Sequence, residues 1–201
     1  MAAPRSGQEL RNLIRTGLLH TGGPFAIRYP RDKAPDVIDW EVEPTPVPVG
    51  SWEILREGHN VAVLAVGTMV EVARRAIAKE ELNVTLVNCR FVKPMDVALL
   101  EQLLDRHDAV LTLEEGTGCG GFGSQVALFM LERGYDHVFK ALYLPDEFVE
   151  HGAREKLLEI CGLSDRHIAE AIHLLLDKDP KAIQAVRASA ADLLKHKTKV
   201  L

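Results

Sequence analysis

The chain lacks the features that mark several protein classes. No run approaches the roughly 18 apolar residues of a membrane-spanning helix, and the first residues lack the apolar core of a signal peptide. Lysine and arginine (24) do not outnumber aspartate and glutamate (29), so the net charge of −5 gives no reason to expect nucleic acid or a membrane as partner. We therefore expect a cytoplasmic globular protein, whose 201 residues are 47% hydrophobic, enough for a substantial core.

Disulfide and metal-binding patterns are also missing. The three cysteines are far apart and odd in number, so they predict no disulfide framework. They form no C-x-x-C pair, and the eight histidines form no H-x-x-x-H or H-E-x-x-H pattern. We therefore predict no metal site in this chain.

The first 50 residues contain one helical pattern and a proline-rich stretch. Residues 8–20 predict an amphipathic helix, and residues 25–29 predict a short strand between Gly-Gly-Pro and Pro30. Four prolines between positions 35 and 48 rule out a regular helix and predict a linker over residues 35–50. The predicted apolar face of the helix consists of Leu10, Leu13, Ile14 and Leu18.

From residue 51 to residue 178, strand and helix patterns alternate. The continuous apolar run at 61–66 is typical of a strand covered on both faces. Helices of 10–15 residues between strands indicate βαβ units, so we predict an α/β fold with a doubly wound parallel sheet. A C-terminal helical extension is predicted for residues 179–201. The predicted strands are 61–66, 84–87, 109–113 and 138–144, and the main helices are 68–79, 94–107, 124–133, 154–160 and 165–176.

Two helix starts carry capping residues. Thr68 and Glu71 have the spacing of a capping box, in which each side chain bonds the other residue's backbone N–H. Ser164 stands where it can cap the helix at 165–176. Both positions predict side-chain hydrogen bonds to the backbone.

A glycine-rich stretch at 116–123 contains Gly116, Gly118 and Gly121 in the G-x-G-x-x-G spacing of dinucleotide-binding loops. It follows the third strand rather than the first, and no acid lies at the ribose-binding position about 20 residues further on. Glu114 and Glu115 directly before it would repel a pyrophosphate. These facts favour a loop for close packing against a neighbouring domain or subunit over a nicotinamide or flavin site.

Five blocks of sequence carry a resemblance to a known family. They are GPFAIRYPR (23–31), LAVGTMV (64–70), RFVKPMD (90–96), EEGTGCGGFGS (114–124) and LPDEFVEHG (144–152). In this order they resemble the C-terminal portion of the 1-deoxy-D-xylulose-5-phosphate synthases of the transketolase superfamily. The block at 144–152 distinguishes these enzymes from transketolases and from 2-oxo acid dehydrogenase β subunits. Gly116 departs from the family pattern, which usually has asparagine there.

The resemblance implies a fold and an activity. Residues 51–178 would form a transketolase C-terminal-like domain, and residues 1–34 the end of the central, pyrimidine-binding domain. The full-length enzyme would be a homodimer that uses thiamine diphosphate and Mg²⁺ in the isoprenoid pathway. It would condense pyruvate with D-glyceraldehyde 3-phosphate, with loss of CO2.

The same resemblance implies that most of the active site lies outside this chain. The Gly-Asp-Gly…Asn metal motif and the central-domain glutamate are missing, so we expect the chain alone to bind no cofactor and to be inactive. Two alternatives remain open. One is a dimerisation or interaction module. The other is the C-terminal half of a split thiamine-dependent enzyme such as a 2-oxo acid dehydrogenase E1 β subunit, with a separate N-terminal half.

The resemblance also indicates one substrate-binding residue and no catalytic one. Arg28 of the Arg-Tyr-Pro motif corresponds to an arginine that anchors the substrate phosphate, and a guanidinium binds phosphate oxygens bidentately. Arg31 is a weaker candidate. The alternative for Arg28 is an ion pair with an acid such as Asp32. The roles of Glu114, Glu115 and His151 stay open, with structural roles favoured.

Overall fold

The computed structural model describes residues 1–177, so the extension predicted for residues 179–201 lies outside the described residues. Within residues 1–177, no helix has the length and apolar character needed to cross a membrane. The helices are α1 (Gly7–Leu19), α2 (Met69–Lys79), α3 (Val97–Leu104), α4 (Phe122–Arg133), α5 (Arg154–Ile160) and α6 (Asp165–Leu176). The strands are β1 (Glu53–Arg56), β2 (Val61–Ala65), β3 (Thr85–Asn88), β4 (Ala109–Thr117) and β5 (Val138–Leu144).

The five strands form one sheet in the order β1-β3-β2-β4-β5. The pairs β2–β3, β2–β4 and β4–β5 are parallel, which confirms the predicted doubly wound α/β fold. The antiparallel edge strand β1 was not predicted. It has only four residues, too few to show a clear alternation of apolar and polar side chains.

Helices cover both faces of the sheet. One hydrophobic cluster packs α2 and α6 against one face of the sheet, and a second packs α3 and α4 against the other. Every residue of β2 and β3 is buried, as the continuous apolar run at 61–66 predicted for β2. Apolar burial contributes about 25 cal/mol per Å², so this two-sided core supplies most of the stability of the domain.

The first residues of the chain are embedded in the fold. Ala2 forms bridges to both Ile27 and Phe91, and its N–H donates to the carbonyl oxygen of Ala26 at 2.8 Å. Ala2 and Ala3 are fully buried. The strand predicted at 25–29 is therefore reduced to a single bridge at Ile27, because its backbone pairs with Ala2 alone among the described residues.

Helix α1 forms where predicted but buries a different face. Leu13 is fully buried, whereas Ile14 and Leu18 of the predicted apolar face are exposed, Leu18 by 75%. The helix turns Glu9, only 7% exposed, towards the sheet. Its carboxylate accepts a hydrogen bond from Nδ2 of Asn88 at 2.7 Å, so a satisfied polar contact overrides the apolar stripe.

The proline-rich segment lies along α1. The carboxylate of Asp36 accepts hydrogen bonds from the N–H groups of Gly7 (2.7 Å) and Gln8 (3.0 Å) at the start of α1. Burial raises the pKa of Asp36, but these hydrogen bonds outweigh it and hold the pKa below its usual value. Further along, the N–H of Val47 donates to Oγ1 of Thr16 at 2.7 Å. The division into residues 1–34, 35–50 and 51–178 stays a prediction.

Neither predicted side-chain cap forms. Thr68 makes no capping hydrogen bond to α2, and Glu71 instead pairs with Arg74 at 2.7 Å. Ser164 precedes α6 without capping it, because its hydroxyl lies 2.8 Å from Nδ1 of His167. In both places a nearby side chain competes successfully for the predicted capping group.

Candidate functional site

The carboxyl ends of β2 and β4 meet beside a cavity of about 210 Å³. β2 leads through α2 to β3 on one side, and β4 leads through α4 to β5 on the other. Such a switch in direction is where open α/β sheets bind ligands. The cavity lining includes Gly67 and Thr68 after β2, Glu115 from β4, and Arg28 and Tyr29 from the N-terminal region.

Arg28 reaches this cavity from the backbone bridge that holds the N-terminus. Its N–H donates to the carbonyl oxygen of Ala2 at 2.9 Å, and its Nη1 donates to the carbonyl oxygen of Glu115 at 2.9 Å. The side chain is exposed. Among the described residues Arg28 forms no ion pair, so the alternative pairing with Asp32 is wrong. Arg31 is also exposed and does not line the cavity.

Glu115 is held by two side chains that the sequence interpretation did not include. The hydroxyl of Thr68 donates to one carboxylate oxygen. Nη2 of Arg154 lies 2.9 Å from both the other carboxylate oxygen and the Thr68 hydroxyl. Nε of Arg154 lies 3.8 Å from Oδ2 of Asp32. Asp32 therefore pairs with Arg154 rather than with Arg28.

Glu114 faces away from the cavity and is 5% exposed. Its Oε1 accepts a hydrogen bond from the N–H of Gly123 at 2.8 Å, in the first turn of α4. The carboxylate thus occupies the helix N-terminus, where a dinucleotide pyrophosphate would have to bind. This agrees with the choice of a packing loop over a dinucleotide site.

The glycines after Glu114 permit close packing. A Cβ at Gly121 would overlap the carbonyl oxygen of Thr117 and lie 2.7 and 2.8 Å from the Glu114 carboxylate oxygens. A Cβ at Gly118 would overlap the ring of Tyr143. These contacts lie within the chain itself, so Gly118 and Gly121 do not need the neighbouring domain or subunit that the sequence analysis expected.

The remaining candidates do not converge on the cavity. His151 is exposed between β5 and α5, and it is not part of the cavity lining. All three cysteines are free. In residues 1–177 there is no group of three or more His, Cys, Asp or Glu side chains that could hold a metal ion.

The sequence contains only weak indications that Thr68 and Arg154 belong to the site. Thr68 follows a buried strand end within the block at 64–70, where its hydroxyl was assigned to capping. Arg154 stands two residues after the block at 144–152. Only the fold brings both beside Glu115.

The transketolase C-terminal domain, as a family, matches residues 50–168 of the chain. The chain belongs to the transketolase C-terminal domain family. A solved split-gene transketolase, described as an inactive "beta4" tetramer, aligns with this chain with a TM-score of 0.75 at 26% identity. The alignment covers 92% of this chain and 56% of that chain. Together these findings confirm the predicted fold.

This family member is similar to the C-terminal portion of longer enzymes. It is 37% identical over 183 residues to the 1-deoxy-D-xylulose-5-phosphate synthase of Geobacillus sp. (strain WCH70), across 89% of this chain and 29% of the relative. The enzyme of the same name from Halalkalibacterium halodurans is 37% identical over 182 residues, with the same coverage. The chain therefore spans less than a third of the length of these relatives.

Proposed function

We propose that this chain is the C-terminal part of a 1-deoxy-D-xylulose-5-phosphate synthase, in which Arg28 binds the phosphate of D-glyceraldehyde 3-phosphate. The observation that carries the proposal is the position of Arg28. Its guanidinium lines the cavity at the switch point and forms no ion pair within residues 1–177. It uses one donor on the Glu115 carbonyl, which leaves donors for a phosphate.

The proposed reaction joins pyruvate to D-glyceraldehyde 3-phosphate, releases CO2 and supplies isoprenoid biosynthesis. It requires thiamine diphosphate and Mg²⁺, for which residues 1–177 offer no cluster of metal ligands. We therefore assign neither cofactor to these residues and derive no step through them. A complementary N-terminal portion would bind both, and this chain alone would be inactive.

A separately encoded partner is a second candidate arrangement. The similar split-gene transketolase, described as an inactive "beta4" tetramer, supports two inferences for this chain. When alone, this chain would self-associate as a homodimer or a larger assembly. It would gain activity only together with its complement. Light scattering on the purified chain would measure the first, and a mixing experiment the second.

The mixing experiment uses this chain and the complementary N-terminal portion encoded in the same genome. Formation of 1-deoxy-D-xylulose 5-phosphate is measured with both substrates, thiamine diphosphate and Mg²⁺. We expect product only from the mixture. Turnover by this chain alone would contradict its predicted inactivity, and co-purification without turnover would favour a non-catalytic interaction module.

Arg28 is then tested in the active mixture. Arg28→Gln should raise the KM for D-glyceraldehyde 3-phosphate by about 100-fold, as expected for loss of a charged hydrogen bond of about 3 kcal/mol. The KM for pyruvate should change little. Arg31→Gln, a matched change on the same segment, should have the smaller effect. Equal effects on both substrates would contradict phosphate binding by Arg28.

A further inference from the structure

The part of β4 whose carbonyl group accepts the hydrogen bond from Arg28 lies outside the regular strand ladder. Leu113 pairs with Leu142 of β5, and the next pair is Thr117 with Leu144. Residues 114–116 therefore lie opposite the single residue 143, as a bulge. On the other side, β2 ends at Ala65. Because regular sheet pairing does not fix this bulge, its carbonyl groups are free to respond to side-chain contacts.

Arg154 contacts the bulge at Glu115, as the hydroxyl of Thr68 also does. Its Nη2 donates to the Glu115 carboxylate and to the Thr68 hydroxyl, both at 2.9 Å, so a single guanidinium joins α5 to both strand ends. The Glu115 carbonyl, in turn, accepts the hydrogen bond from Arg28. Asp32 lies on the other side of Arg154, close in sequence to Arg28.

The charge of Glu115 also matters to any ligand of Arg28. Glu115 lines the same cavity as Arg28, and a free carboxylate there would repel an anion. Arg154 neutralises this carboxylate through a charged hydrogen bond while its own side chain is 30% exposed. Without Arg154, the cavity would keep Arg28 but regain a negative charge beside it.

We propose that Arg154 is a positioning residue for the anion site: it fixes the bulge at Glu115, which orients Arg28, and it neutralises the Glu115 carboxylate. The inference rests on the proposed function, because it takes Arg28 to bind phosphate. It assigns a role to Arg154 at the start of α5, the helix that follows the block at 144–152.

The test measures binding of inorganic phosphate to the full chain by titration calorimetry. Arg154→Gln should weaken binding about tenfold, which corresponds to 1.4 kcal/mol. The double variant Arg154→Gln with Glu115→Gln should recover part of the loss, because it removes the repelling charge but does not restore the contact that fixes the bulge. Arg166→Gln breaks two exposed ion pairs, with Glu159 of α5 and Glu170 of α6, and serves as the matched control, with no expected change. Equal loss in the single and double variants would overturn the electrostatic role.

A second readout separates this inference from the proposed function. NMR exchange of the Arg28 Nη groups reports how freely its guanidinium rotates, with or without ligand. Rotation should become faster in Arg154→Gln and stay unchanged in Arg166→Gln. An unchanged rotation rate of the Arg28 guanidinium in folded Arg154→Gln would overturn the positioning role. Absence of phosphate binding by the wild-type chain, or binding that survives Arg28→Gln, would instead contradict phosphate binding by Arg28.

Discussion

The central strands β2 and β4 and the N-terminal residues 1–50 are held in place by different kinds of contact. β2 and the first six residues of β4 are buried, and apolar side chains from helices α2 to α6 cover the two faces of the sheet. The N-terminal region is attached to the rest of the chain by the bridges of Ala2, by the hydrogen bond between Glu9 and Asn88 and by a small apolar cluster in which Leu13 and Val47 pack with Phe91. The candidate site lies where the two regions meet, at Arg28 and Glu115.

The difference has a consequence for how each region responds to change. An apolar core averages over many weak contacts, so its strength depends on volume and packing. A polar attachment depends on single groups, and a buried polar group that loses its partner lowers the stability of the protein. The N-terminal region should therefore loosen locally, whereas the sheet should lose stability as one unit.

The largest effect is expected in the centre of the sheet. Leu111 in β4 is fully buried and belongs to the cluster beneath α2 and α6. Leu111→Ala should lower the free energy of unfolding by about 3 to 4 kcal/mol, because it removes apolar contacts and leaves a cavity. Urea denaturation followed by circular dichroism would measure this. A loss below about 1 kcal/mol would contradict a sheet held mainly by two-sided apolar packing.

A smaller loss should follow from filling the close contact in the glycine segment. In Gly121→Ala the new Cβ would meet the Thr117 carbonyl and the Glu114 carboxylate, so we expect about 2 to 3 kcal/mol of destabilisation. Gly120→Ala is the matched control, since no atom lies within 4 Å of its Cβ. Its φ of +78° still strains an alanine by about 1 kcal/mol. Thermal unfolding of the two variants should rank them in this order, and the reverse ranking would contradict the close packing around Glu114.

The polar attachment of α1 should be weaker still and local in its effect. Glu9→Gln removes the charge that faces Arg90, whose Nη1 lies 3.7 Å from the carboxylate, and should cost about 2 kcal/mol. In Glu9→Gln we expect faster amide hydrogen exchange across α1, with little change in β2 and β4. Glu101→Gln, which breaks an exposed pair with Arg133, should change stability by less than about 0.5 kcal/mol. Uniformly faster exchange throughout the chain would show that the two regions unfold together.

The sequence predicted the sheet well and the site only partly, for the same physical reason. Apolar runs such as 61–66 determine burial locally, so the parallel strands and their helices could be placed from the pattern alone. The exposure of Leu18 could not be predicted in this way, because the face that α1 buries depends on the contact of Glu9 with a distant partner, Asn88 in β3. Arg28 was found through a family motif. Its contact with the Glu115 carbonyl joins residues 87 positions apart and has no local pattern.

The smallest effect on stability is expected on the outward side of α1. Leu18 is 75% exposed, so Leu18→Ser should change the unfolding free energy of this chain by less than about 0.5 kcal/mol. Leu13→Ser, in the same helix but fully buried, should cost several times more because it places a hydroxyl among apolar side chains. The pair also probes the proposed complement. If the proposed complement covers this side of α1, Leu18→Ser should weaken co-purification although it leaves the chain stable. Unchanged co-purification would place the partner's contact elsewhere on the chain.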